Sequence, residues 1–159
     1  MRAMLLLLLA TTCAASAHPQ KDIAKPLSKL TLTAANAKST LGSDVWIQIH
    51  WTNTSDRELT ANRYTDKTTG QDMSYTLDFR DSAGRPVPKL PHKPPVGHFF
   101  DAQFGTLKPG QQITNEINLR RMYDLSRPGK YTLQVSRRLA KSLGGSIIRS
   151  NTLAVTITK

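Results

Sequence analysis

Apolar and polar residues alternate along this chain in short runs bounded by glycine, proline or Asn/Asp/Ser clusters. Period-two alternation is the mark of a strand with one buried face. Residues 28–35 carry it first, with Leu30 and Leu32 against Lys29, Thr31 and Thr33. Past a turn at Gly42-Ser43-Asp44 comes the clearest strand. There Val45, Ile47, Ile49 and Trp51 share one face and Trp46, Gln48 and His50 the other. The first set is expected in the core and the second against solvent or a partner. Asn53-Thr54-Ser55-Asp56 ends that strand, and residues 57–72 are polar and irregular, with room for a short edge strand around Leu59. Tyr75, Leu77 and Phe79 form the next alternating set, closed by Asp81-Ser82-Ala83-Gly84. In 112–119, Ile113, Ile117 and Leu119 point inward with Asn115 as a polar exception; Tyr131, Leu133 and Val135 follow. Gly144-Gly145 marks a turn before Leu153, Val155 and Ile157. No stretch holds a helical period, and 120–125 makes at most one helical turn.

These signals predict an all-β fold: a single immunoglobulin-like antiparallel β-sandwich of about seven strands over residues 27–159. The run Tyr123-Asp-Leu125-Ser-Arg-Pro128-Gly129-Lys-Tyr131 has the form of a corner followed by a strand that opens on a tyrosine. Its Tyr131 hydroxyl is expected to reach back to the corner's backbone. No repeat and no linker divide the chain.

The first 17 residues read as a secretory signal: Arg2, an apolar core from Leu5 to Ala10, and Ala15-Ser16-Ala17 as cleavage site. That core is too short for a membrane span, which needs about 20 apolar residues, and no other apolar stretch is long enough. Cleavage after Ala17 makes His18 the first residue, followed by an extended leader to Pro26, and sends the protein to the periplasm or medium. A rival reading lipidates Cys13, but Ala10-Thr11-Thr12 lacks the Leu such a signal carries. Cys13 is the only cysteine, so the processed chain has no disulfide, and the absence favours a bacterial envelope origin. Asn53-Thr54-Ser55 fits a glycosylation acceptor, meaningful only in a eukaryotic secretory pathway.

The formal charge is +11, and loss of Arg2 lowers it by one. Such a field favours anionic envelope polymers, although it also simply keeps an exported protein soluble. The charges are scattered, and no aromatic platform with interleaved basic residues supports nucleic-acid binding. Five of the nine prolines, Pro86, Pro88, Pro91, Pro94 and Pro95, fall in 85–97 together with Arg85, Lys89 and Lys93. Proline fixes φ and removes a donor, so this piece is expected to be a stiff, extended, solvent-facing loop outside the sheets. Two readings stand: a preorganised contact loop, flanked by His98, Phe99 and Phe100, or a rigid crossover between sheets. Phe99-Phe100 also suits the start of a strand.

At Leu107-x-Pro109-Gly110, at the Tyr123–Tyr131 run and at 45–56, the chain resembles two groups. One is the non-catalytic β-sandwich of deuterolysin-type zinc endopeptidases; the other is the BsuPI proteinase-inhibitor domain. The resemblance implies a sandwich and an accessory or inhibitory role, and no catalytic residue carries over. The His-Glu-x-x-His pair of imidazoles that such a peptidase requires is absent, as are nucleophile-elbow, P-loop and dinucleotide motifs. The remaining chemical candidate is a mature N-terminal His18 binding Cu(II) through amine and ring, with His98, His92 or His50 completing the site. The expectation is thus a non-enzymatic, cofactor-free binding module. Its partner is another envelope or extracellular protein, met through Arg85, Pro88, Lys89, Pro91, Lys93, Pro94 and Pro95. A proteinase inhibitor acting through the same loop and the copper protein are the alternatives.

Overall fold

The computed structural model describes residues 26–67, 69, 71–91, 100–140 and 145–159. The expected signal, the expected leader with His18 up to residue 25, and the segment holding His92, Lys93, Pro94, Pro95, His98 and Phe99 lie outside the described residues. The fold is all-β. One sheet is antiparallel and three-stranded, in the order β1 (Ser28–Ala34), β3 (Trp46–Asn53), β9 (Gln112–Asn118). The other is organised on the long β10 (Gly129–Arg138). Its one edge pairs with β6 (Tyr75–Asp81), its other edge with β12 (Leu153–Thr158) and then β11 (Ile147–Arg149). Two short ribbons complete the set: β4 (Leu59–Thr60) with β8 (Thr106–Leu107), and β5 (Arg63–Asp66) with β7 (Phe100–Gln103).

The alternating sets face where the sequence places them. Val45, Ile47, Ile49 and Trp51 are at most 1% exposed, and they join Leu30, Leu32, Ile117, Tyr75, Phe79, Tyr131, Leu133, Val135, Val155 and Ile157 in one core cluster. Both sheets therefore bury their apolar faces against the same core. Lys108-Pro109-Gly110-Gln111 closes with Gln111 N–H on the Lys108 carbonyl (3.0 Å) and Gly110 at φ +75°. Proline followed by a positive-φ glycine is the signature of a type II turn. Asn53, the would-be glycosylation acceptor, is fully buried: its amide donates to the carbonyls of Arg57 and Leu107 (both 2.7 Å).

Four expectations need correction. Twelve strands are present among the described residues rather than about seven, because pieces of two to four residues are too short to show a period. The pairing is not wholly antiparallel: β2 (Lys38–Thr40) runs parallel to β12, as the chain leaves β1 in one sheet and re-enters in the other. The helical turn is a 3-10 turn at Leu119–Arg121, started earlier than 120 because the Asn118 side chain accepts from Arg120 N–H (3.1 Å) and so caps it. The fourth concerns the proline segment.

Candidate functional site: the clamped proline segment and two cavities

Residues 85–91 are not a free loop. Val87 N–H donates to the Phe79 carbonyl (3.0 Å), Leu90 N–H to Met122 (2.9 Å), and the Pro88 carbonyl accepts from Asp124 N–H (2.9 Å). Bridges Arg80↔Pro86 and Lys89↔Tyr123 place the segment between the edge of β6 and the corner before β10. The prolines permit this because they alternate with Val87, whose N–H makes the bond that Pro86 and Pro88 cannot. Val87 is buried; Arg85, Pro86, Pro88, Lys89, Leu90 and Pro91 are exposed. The start of the segment is also held. Asp81 accepts from Arg85 N–H (3.0 Å) and Arg85 Nε (2.9 Å), which, with Ala83 N–H, holds its carboxyl below the usual carboxylate range.

The corner forms as expected: Tyr131 Oη donates to the Arg127 carbonyl at 2.6 Å. Its ring stacks on Phe79, with centroids 5.5 Å apart and planes at 24°. Corner and proline segment meet around a cavity of about 290 Å³ lined by Asp81, Arg85, Val87, Pro88, Asp124 and Tyr131 among others. Ser126, bonding through hydroxyl and N–H, keeps the Asp124 carboxyl low as well.

A second cavity, of about 360 Å³, opens near the far end of β10. Arg137 is only 6% exposed and lies over Trp51 (4.1 Å to the ring centroid) and Tyr75 (5.1 Å). Its Nη2 donates to the Asn62 carbonyl (3.0 Å), and its Nη1 stands 3.6 Å from Oδ2 of Asp72. Asp72 is wholly buried; the same oxygen is 3.5 Å from Arg63 Nε, and Oδ1 accepts from the Ser74 N–H (2.9 Å) and hydroxyl. Burial pushes the Tyr75 hydroxyl up, with the adjacent Arg137 charge opposing. By composition alone Arg137 counts among the scattered charges. Yet the alternation Tyr131, Leu133, Val135 puts residue 137 on the inward face, and that signal could have found it.

His50, a candidate copper partner, sits on the outer face of the three-stranded sheet, as its place in the alternation predicts. Its ring nitrogens contact Thr33 Oγ1 (2.9 Å), Thr114 Oγ1 (3.0 Å) and Gln112 Nε2 (3.2 Å). Among the described residues no group of three His, Cys, Asp or Glu is placed to hold a metal ion, and no helix is long and apolar enough to cross a membrane.

No family model matches the chain. No curated protein matches it either, so the deuterolysin and BsuPI resemblance rests on turn and core residues alone. Among solved structures, Spo0M, a sporulation control protein of Bacillus subtilis, aligns at 12% identity and a TM-score of 0.49. The alignment covers 85% of this chain and 51% of that one. The alkylpurine DNA glycosylase AlkC of Pseudomonas fluorescens follows at 13% and 0.43, covering 84% and 31%. The β-glucosidase EmGH1 of Erythrobacter marinus gives 14% and 0.42, covering 82% and 15%. The chain thus spans about half of the first and less of the others, and likeness at this level carries no functional argument.

Proposed function

We propose that this is an exported, non-catalytic accessory module of immunoglobulin-like type. It binds another envelope or extracellular protein through the face presented by Arg85, Pro88, Lys89, Leu90 and Pro91. One observation carries the reading: main-chain bonds to Phe79, Met122 and Asp124 hold this segment while its side chains, Val87 apart, face outward. A segment already ordered loses little conformational entropy on binding. Lys89 beside Leu90, which is 39% exposed, suits an acidic partner surface with an apolar centre, while Arg85 is paired with Asp81. The bonded Tyr131 corner supports the immunoglobulin-like assignment.

The test is a cross-linking capture from the native envelope with processed protein, run beside a Lys89→Glu/Leu90→Ser variant. The variant should lose a partner that wild type retains, and that partner should dissociate with rising salt. An identical set captured by both proteins would overturn the assignment of this face. Capture of a proteinase that the wild type inhibits would select the inhibitor version.

A further inference from the structure

The cavity near the far end of β10 joins three properties that a solvent-facing hollow has no reason to combine. The first is charge. Among the described residues that line it, two, Arg137 and Arg138, are cationic and none is acidic. Asp72, behind Arg137, must serve Arg63 as well, so one carboxylate faces two guanidiniums.

The second is hydrogen-bonding capacity. Trp51 is 1% exposed and lines the cavity, yet its indole N–H has no partner among the described residues. Arg137 Nη1 makes no hydrogen bond there either, only the long ion pair. Buried donors are almost always satisfied, and each exception calls for an account.

The third is apolar surface at the mouth. Tyr64 and Met73 line the cavity at 44% and 54% exposure. Phe104, 69% exposed, packs edge-on against Tyr64 with centroids 5.9 Å apart. A cluster of large exposed apolar side chains is informative where isolated ones are not.

We infer that this cavity binds a small organic anion with a flat apolar body, of the aryl carboxylate or sulfonate class. Guanidinium suits such a head group, offering charge and a planar set of donors. The flat body would lie against Tyr64 and Met73, with Phe104 holding the Tyr64 ring from its edge. The volume falls at the small end of ligand cavities, which run from about 300 to 1,000 Å³, and so suits one or two rings rather than a polymer. Tyr131 and Arg137 lie about 20 Å apart along β10, so the cavity is separate from the proline face.

The probe is anilinonaphthalene sulfonate, an aryl anion, titrated by fluorescence into the full chain. N-phenylnaphthylamine, which has the same rings without the charge, is the control. One saturable site is expected, with the anion bound about tenfold more tightly than the neutral probe, the effect of one charged contact. Tyr64→Ala/Phe104→Ala, at exposed positions, should keep cooperative unfolding and weaken the anion about fivefold or more. Arg138→Glu should weaken it while sparing the neutral probe. Arg137→Lys is informative only if it unfolds like wild type, and the rim variants stand without it. Absence of saturation, equal affinity for the two probes, or anion affinity unmoved by the rim variants would each overturn the site.

Discussion

The β6/β10 ladder carries a buried tyrosine toward each end, and the two are finished differently. Tyr131 lies opposite Asp81, and its hydroxyl is bonded to the Arg127 carbonyl in the corner it closes. Tyr75 lies opposite Arg137, and its hydroxyl finds no partner among the described residues. Tyr123 also lacks one, with its ring packed on Phe79 (5.0 Å); neither it nor Tyr75 lines a cavity, but Tyr75 adjoins the far one through Arg137, whose guanidinium lies over its ring. Where hydrogen bonds are complete, the fold holds a segment still. Where they are incomplete beside an open cavity, a ligand has something to gain.

The sharpest break of this contrast is Asp72→Ala. It leaves Arg137 buried without its counter-charge and should cost about 3–5 kcal/mol, read as a lower urea midpoint at unchanged slope. A loss under about 1 kcal/mol would mean that Arg137 is hydrated rather than paired.

Next comes a matched pair. Tyr131→Phe strands the Arg127 carbonyl and should cost about 1–2 kcal/mol. Tyr75→Phe removes a hydroxyl that makes no bond among the described residues and should be neutral or slightly stabilising. Equal losses in the two would erase the distinction between the ends.

Gly84→Ala tests the turn that leads into the clamped segment. Gly84 sits at φ +76°, and nothing lies within 4 Å of where an alanine methyl would stand. The penalty is therefore conformational rather than steric, about 1 kcal/mol in a urea melt.

The smallest effect is in pH. Asp81 and Asp124 have depressed carboxyl pKa values when folded. Their contribution is therefore present above the ordinary carboxylate value, near about 3.9, and is lost as pH falls through the depressed values. Asp81→Asn should flatten the acid limb of the stability profile. Tyr75 and Tyr131 are both raised, by burial first. Their contribution is full below about 10 and is lost as pH rises through the folded values. Alkali should therefore weaken both ends, and acid the end carrying Tyr131. An acid limb unchanged by Asp81→Asn would show that these carboxylates do not hold the segment.

The long strands were legible because one face of each is buried, which imposes a period of two on β1, β3, β6, β9, β10 and β12. Strands β2, β4, β5, β7, β8 and β11 span two to four residues each, too few to carry a period. The tyrosine corner was legible because a local bond, from residue 131 to residue 127, leaves a local spacing. The proline segment was recognisable as rigid but not as docked, since proline's missing donor says where a strand bond cannot form and not which neighbour supplies the others.

By itself the sequence determined an all-β chain, its turns, its inward faces and its corner, because each follows from backbone preference and alternation within a dozen residues. Tertiary structure alone decided that the proline segment is clamped between Phe79 and Met122, and that Arg137 lies on Trp51 beside Asp72. Apart from the bond between Val87 and Phe79, those contacts join residues far apart in the chain. Their partners are chosen by sheet register and packing, which no local pattern encodes.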